Sequence, residues 1–414
     1  MPRISASFIV ALIAAIAASP VFAAASTPTS SADSRTALSF RKLQLNSEFL
    51  AEGGTFGDLN RDGHVDAIAG PFWYAGPDFT ARHELYPPKP FDPLGYSDNF
   101  SAWVHDLNGD DWPDIFAIGF PGQDAFWLEN PGASGGAWKR HFAYAPVDNE
   151  SPTFGPLLDG RPPVLICMSN GRIGYATPNA DDPTMPWTFH PVSAPRGWGK
   201  FTHGLGFGDV NADGRVDLLA PDGWFEQPAS LEGDPLWKHH PAAFGHGAHI
   251  HVLDINGDSL PDVVTSLNAH GYGLSWFEQL RSDTGATEFR EHPILSKTDE
   301  KIAGVQFSQL HAVAIVDMDG DHLPDILTGK RWWAHGPTKD PEPNAAAVVY
   351  AFLLRRSATG DVSFEPALID DDSGLGTQIV AQDINSDGRP DVITVNKRGT
   401  FVFLSQPSFS SARP

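Results

Sequence analysis

The chain has 414 residues, with 51 Asp and Glu against 28 Lys and Arg and a formal net charge of −23. So acidic a chain argues against nucleic acid or an anionic membrane as partner, since both are polyanions. It holds one cysteine, Cys167, so no intramolecular disulfide can form. Cys167 reads as a buried small hydrophobe rather than a catalytic thiol.

Residues 1–25 read as a signal peptide. Arg3 supplies the positive start, Phe8 to Ala18 the apolar stretch, and Val21-Phe22-Ala23 a small-x-small cleavage site. The apolar run is too short for a good membrane anchor, and no later segment could span a bilayer. Residues 26–36 are Ser/Thr/Ala-rich and read as a flexible segment. Residues 37–408 form the folded body, and 409–414 a tail. The expected destination is the periplasm or the cell exterior.

The body is built on one recurring loop. In Asp58-Leu59-Asn60-Arg61-Asp62-Gly63-His64-Val65-Asp66, oxygen-bearing side chains stand at positions 1, 3, 5 and 9, and an apolar run follows. Hard cations such as Ca²⁺ take six to eight oxygens, and a short loop supplies them by alternating carboxylates with a backbone carbonyl, here from His64. The same spacing recurs at Asp106, Asn108, Asp110, Asp114; at Asp209, Asn211, Asp213, Asp217; at Asp254, Asn256, Asp258, Asp262; at Asp317, Asp319, Asp321, Asp325; and at Asp383, Asn385, Asp387, Asp391. A degenerate copy lies between the second and third of these, where Phe154-Gly155-Pro156-Leu157-Leu158-Asp159-Gly160 leads into Val164-Leu165-Ile166. The expectation is seven repeats, six with intact loops binding up to six Ca²⁺. Nineteen Asp carboxylates stand at the ligand positions of these loops, so much of the acidity is metal ligand. Position 6 is glycine in three loops; Asp111, Ser259 and His322 stand there in the others.

Each repeat reads as short strands. An apolar strand precedes the loop and another follows it. A third carries an aromatic pair with an acid-amide ending, as in Trp127-Leu128-Glu129-Asn130, Trp224-Phe225-Glu226-Gln227 and Trp276-Phe277-Glu278-Gln279, with Trp73-Tyr74 and Trp332-Trp333 in similar places. These tryptophans read as packing between blades. A fourth strand is suggested by Trp237–His240 and Phe289–His292. Four-stranded units without helical periodicity predict an all-β, seven-bladed β-propeller with the loops on one face. Leu38–Leu45 is expected to complete the last blade.

Gly57-Asp58-Leu59-Asn60-Arg61-Asp62-Gly63 followed by Asp66-Ala67-Ile68-Ala69-Gly70 resembles the FG-GAP/VCBS repeat family, including the integrin-alpha-type propeller. The resemblance implies a seven-bladed ring with calcium loops, and it implies no function, because that fold hosts adhesion, binding and catalysis alike.

The loop joins the first two strands at one face, so the start of strand one and the end of strand two belong to the opposite mouth. His203 and His311 each lie six residues before their loop's first Asp and share a register. His249 is one residue out of it. His270, Lys330, Arg331, His335, Lys397 and Arg398 follow second strands. An acidic chain thus gathers basic side chains at one mouth. They suit a polar or anionic ligand, with His as acid/base or as ligands to Zn²⁺ or another transition metal. The competing reading is that these histidines cap strands and bond to backbone. Segments 281–305 and 335–347 read as long loops beside the mouth.

Thr202-His203-Gly204-Leu205-Gly206, Ser266–Gly273 and Gly329–Gly336 resemble the propeller part of aldos-2-ulose dehydratases. That likeness implies a sugar lyase, with a histidine taking the proton alpha to a carbonyl and a metal or Arg331 steadying the enolate. His203, His270, His311, Arg331 and His335 are then the candidate catalytic residues. The alternative is a non-catalytic propeller holding a glycan or protein. No P-loop, HExxH or CxxC motif is present.

Overall fold

The structure is a computed structural model that describes residues 38–281, 287–357 and 359–407. The expected signal peptide, the 26–36 segment and the 409–414 tail lie outside the described residues. Among those described there are 28 strands and one short 3₁₀ turn, Gly132–Ser134.

Each repeat forms a four-stranded antiparallel meander. In the first, Gly54–Gly57, Asp66–Ala69, Phe72–Tyr74 and Arg82–Glu84 lie side by side. The loop joins the first two strands, and its ninth residue pairs with the residue before its first: Gly57 with Asp66, His105 with Asp114, Gly208 with Asp217, Leu253 with Asp262, Val316 with Asp325 and Gln382 with Asp391. Second strands such as Asp114–Ile118 and Asp217–Ala220 are buried at every position. That is expected of strands covered on both faces, and it explains their unbroken apolar runs.

The cores lie between successive meanders. Ile68, Trp73 and Leu85 pack on Ala102, Ile115 and Phe126, and Leu327, Val349 and Ala351 pack on Val392, Phe401 and Phe403. The series closes on itself, because Phe56, Ala67, Phe72 and Tyr74 of the first meander pack on Ile393, Val395 and Val402 of the last. Strand Phe40–Asn46 pairs antiparallel with Gly399–Ser405 in that last sheet. The arrangement is all-β and propeller-like.

The expected count of seven separate blades is corrected. Five sheets stand alone with four strands each, and the repeats at 205–241 and 249–295 share one eight-stranded sheet. Leu205–Phe207 pairs parallel with His249–His251. Glycine is the reason: a Cβ on Gly206 would lie 1.9 Å from the Ile250 carbonyl oxygen, so only Gly lets the two inner strands approach to hydrogen-bonding distance.

Two further expectations change. Trp332 and Trp333 are not on a third strand; that strand is Val349–Arg356, and the two rings stack at 5.1 Å in the preceding connection. Segment 281–305 is not one loop, because Thr287–Leu295 is a strand. The other tryptophans pack between meanders as expected, and four of them stack on a histidine of the fourth strand at 4.0 to 4.4 Å: Trp73 on His83 and, in the repeats with the acid-amide ending, Trp127 on His141, Trp224 on His240 and Trp276 on His292. In those repeats the acid two residues after the Trp, Glu129, Glu226 or Glu278, meets the same imidazole at 2.6 to 2.9 Å. The amide that ends the motif reaches the preceding repeat. Asn130 donates to the Leu59 carbonyl, Gln227 to Leu157 and Gln279 to Val210. Cys167 is fully buried, and burial raises its thiol pKa.

Backbone geometry accounts for the uneven glycines. Position 6 has positive φ in all six loops, including Asp111, Ser259 and His322, and so does position 4. Loops with Gly at 6 (Gly63, Gly214, Gly388) carry Arg61, Ala212 and Ser386 at 4, and loops without it carry Gly109, Gly257 and Gly320 there. Every loop thus has one glycine and one strained residue, the latter costing about 1–2 kcal/mol. Ala212→Gly is expected to be neutral to stabilising by up to about 1 kcal/mol, since relieved strain is partly offset by added chain entropy. Gly214→Val should destabilise by about 1–2 kcal/mol through backbone strain, because nothing lies within 4 Å of a Cβ there. Urea midpoints measured in excess calcium would check both.

Candidate functional site

In the loops, the position-1 carboxylate closes the turn. Asp58 accepts from the N–H of Asp62 and Gly63 at 3.1 and 3.0 Å. Asn60 accepts from Asp62, and Asp62 from His64. The position-9 Asp is fully buried in every loop. One of its oxygens accepts from the N–H of position 2 at 2.8 to 3.2 Å. The other accepts from the end of the third strand, at Gly76, Asn130, Gln227, Gln279, Leu354 or Ser405, at 2.7 to 3.0 Å. Burial pushes these carboxyls up, to about 6 at Asp66, Asp262 and Asp391 and to about 7 at Asp114, Asp217 and Asp325, with neighbouring loop carboxylates adding to the rise.

The donor set fits a hard cation: carboxylate and amide oxygens on a rigid turn, beside a buried carboxylate. Asp317, Asp319 and Asp325 offer oxygens within 4.8 Å of one another. The loops are not equivalent. Arg355 pairs with Asp319 at 2.6 Å and Asp321 at 2.9 Å, Arg389 with Asp387 at 2.7 Å, and Arg215 with Asp213. A cation entering these three loops would have to displace a guanidinium.

At the opposite mouth the register argument holds more widely than for histidine alone. The residues six before loop position 1 are Glu52, Phe100, His203, Ala248, His311 and Thr377, and in the degenerate repeat, with Pro156 at position 1, Glu150. All seven are buried. The same spacing marks Glu52 and Glu150, which a pattern of basic residues leaves out.

Arg331 crosses this ring. It follows the strand Asp325–Gly329 and bonds Glu52 at 2.6 Å and Glu150 at 3.0 Å, with its side chain 1% exposed. Its guanidinium lies 5.6 Å from the Phe100 ring and 6.0 Å from that of Tyr96. His203 Nε2 is 3.3 Å and His311 Nε2 4.0 Å from the Glu150 carboxylate. Burial alone would raise Glu150, but His203 and Arg331 hold it at about 2. His270 stands with its ring 4.8 Å from His203 and 4.6 Å from His311. One ring nitrogen from each of the three lies within 4.8 Å of the others. His203 Nε2, His270 Nδ1 and His311 Nε2 are buried without a hydrogen-bond partner. The His311 Nδ1 faces the Gln309 carbonyl at 3.3 Å, so that nitrogen carries the proton and Nε2 the lone pair. Burial lowers His270 to about 4 and pulls His311 well below the usual range.

His335 stacks on His270 at 4.3 Å and places Nδ1 2.9 Å from Asp340. The other expected basic residues diverge. His249 is half-buried beside His251 and does not join the cluster; desolvation lowers it to about 3. Lys330 is fully buried against Ser308 Oγ at 2.7 Å. Lys397 donates to the Trp333 carbonyl at 2.9 Å and sits 4.7 Å from the Tyr96 ring. Burial lowers both lysines to about 8. Arg398 turns outward to the exposed Asp372. Segment 335–347 is largely irregular chain, tied down where Ser308 Oγ donates to the Pro341 carbonyl.

The fold and the mouth together define a propeller-like scaffold carrying a buried His/Glu/Arg cluster. No protein-family model matches the chain, and no curated protein does; FG-GAP/VCBS membership therefore stays a resemblance. Among solved structures the chain is similar to rhamnogalacturonan lyase YesW, with a TM-score of 0.44, 14% identity, and coverage of 88% of this chain and 75% of that one. It is likewise similar to an auxiliary nutrient binding protein from Bacteroides ovatus, with a TM-score of 0.44, 10% identity, and coverage of 75% and 70%. Likeness at this level carries no argument about chemistry. Among the described residues no helix is long and apolar enough to cross a membrane.

Proposed function

We propose that this chain is an exported, calcium-stabilised propeller that acts as a carbohydrate lyase of the dehydratase type on keto-sugars at the His/Arg/Lys-lined mouth. The observation that carries the reading is the gathering of the His203, His270 and His311 imidazoles beside Glu150, with one nitrogen of each facing the others and making no well-aligned hydrogen bond, the His203 Nε2 meeting the Glu150 carboxylate at 3.3 Å. Orphaned polar atoms in a core are costly, and three imidazoles sharing one point are the donor set of a transition-metal site such as Zn²⁺. When bound there, such a metal would polarise a sugar carbonyl.

The residues divide the remaining work. His335 is more than a third exposed, and Asp340 holds its Nδ1, which leaves Nε2 as the base for the proton alpha to the carbonyl. The hydroxyl beta to the carbonyl then departs as water, taking the proton that His335 Nε2 has accepted, as the double bond forms between the alpha and beta carbons. Arg331 differs from the role the resemblance implies. Buried and paired to two carboxylates, it is a positioning residue that fixes Glu52 and Glu150. The second reading is a non-catalytic propeller holding a glycan or protein; the near-complete burial of His203, His311 and Arg331 favours it.

Elemental analysis of the purified protein, before and after mild chelation, separates them. Up to six calcium ions with a near-stoichiometric transition metal support the lyase, and calcium alone supports binding. His203→Ala and His311→Ala should abolish elimination from keto-sugars and lose the transition metal while keeping the calcium. Turnover that survives both substitutions would refute the mouth as the catalytic centre.

A further inference from the structure

Phe201 lies two residues from His203 and leaves 47% of its surface exposed. Its φ is +68°, a conformation costly for a bulky side chain. The surrounding bonds hold it there. Phe201 N–H donates to the Asp148 carbonyl at 3.0 Å, Glu150 N–H to the Thr202 carbonyl at 3.0 Å, and Thr202 Oγ1 to Gly199 at 2.9 Å. The loop that presents the ring is thus fastened to the segment that carries Glu150.

The ring heads an aromatic series running into the mouth. Phe201 meets Phe120 edge-on at 5.6 Å, and Phe120 meets Tyr96 at 5.2 Å. Tyr96 in turn lies under Lys397 and beside Arg331. Phe120 and Tyr96 are half-buried, so accessible aromatic surface continues from solvent to the polar cluster. Strain maintained to expose an apolar ring beside a buried polar site marks a ligand contact. The chemistry it suits is the C–H face of a pyranose, which stacks on aromatic rings while its hydroxyls remain in water.

We infer that Phe201, Phe120 and Tyr96 form a stacking subsite for a second sugar ring, so that the ligand is a neutral oligosaccharide or glycoside rather than a free monosaccharide. The inference rests on the carbohydrate reading above and adds the size of its ligand.

Calorimetry of the full chain would use cellotriose, maltotriose, xylotriose and mannotriose, each against its monosaccharide. At least one trisaccharide should bind tenfold or more tighter than its monosaccharide. Phe201→Ala should erase that gain, and Phe201→Trp should keep it. No trisaccharide advantage, or an advantage untouched by Phe201→Ala, overturns the subsite. Circular dichroism confirms that the variants are folded. Release of water from keto-sugars is measured separately. If elimination fails while the trisaccharide gain persists, the lyase reading falls and the subsite stands. If the gain is absent while elimination persists, the subsite alone falls.

Discussion

Arg331→Met is expected to cost about 3–5 kcal/mol, because removing one partner of a buried ion pair leaves uncompensated charge in the core. The melting temperature should drop by roughly 4–7 °C. Two carboxylates would be stranded, Glu52 at 1% and Glu150 at 7% exposure. Most of the loss comes from that stranding rather than from the worth of the pair. The triple variant Arg331→Met, Glu52→Gln, Glu150→Gln should therefore recover much of the stability that the single variant loses. Thermal melts in excess calcium would decide it. A single variant as stable as the parent would mean that water reaches the cluster and screens it.

Calcium removal should have the other large effect. A ligand that binds only the folded state stabilises it in proportion to the logarithm of its excess concentration, and six occupied loops would add such contributions. Excess chelator should lower the melting temperature by many degrees, and an unchanged melt would refute calcium loading. The pH dependence gives a sharper test. In the metal-free protein the six position-9 carboxyls have folded values of about 6 to 7, above the unfolded carboxylate. A raised folded value adds stability that is complete below the unfolded value, near 4, and is lost as pH rises through 6 to 7. Acidification from pH 8 towards 5 should thus narrow the gap between chelated and calcium-loaded protein. Histidines held neutral by desolvation act oppositely. His249, His251, His270 and His311 have lowered values, so their contribution is lost as pH falls below about 6.5. They weigh on both forms, and the difference between the two melts isolates the carboxyls.

The loops were legible in the sequence because turn chemistry is local: spacing, glycine and the following apolar run all lie within one short stretch. The compensation between positions 4 and 6 was equally visible, but only once both positions were known to need positive φ. The fused sheet was not legible, since Leu205-Gly206-Phe207-Gly208 reads like any first strand until Ile250 is found against it. Register placed His203 and His311 at one mouth, and their position after second strands placed His270 and His335 there; the structure brings the four together. Lys330 and Arg398 shared the same signal and point elsewhere, because residues after a strand follow the loop, not the pleat. Trp332 and Trp333 misled for a related reason: an aromatic pair does not reveal whether it ends a connection or begins a strand.

The pairing of Phe40–Asn46 with Gly399–Ser405 also bears on how the molecule is made. The first described strand to be synthesised waits for the last described one before it finds its place in a sheet. Until then the growing array has an open strand edge at each end, and an open edge accepts any strand that fits. A second copy of the chain offers the same strand. Which end arrives first, its own or a neighbour's, is what separates a closed monomer from a chain of exchanged partners.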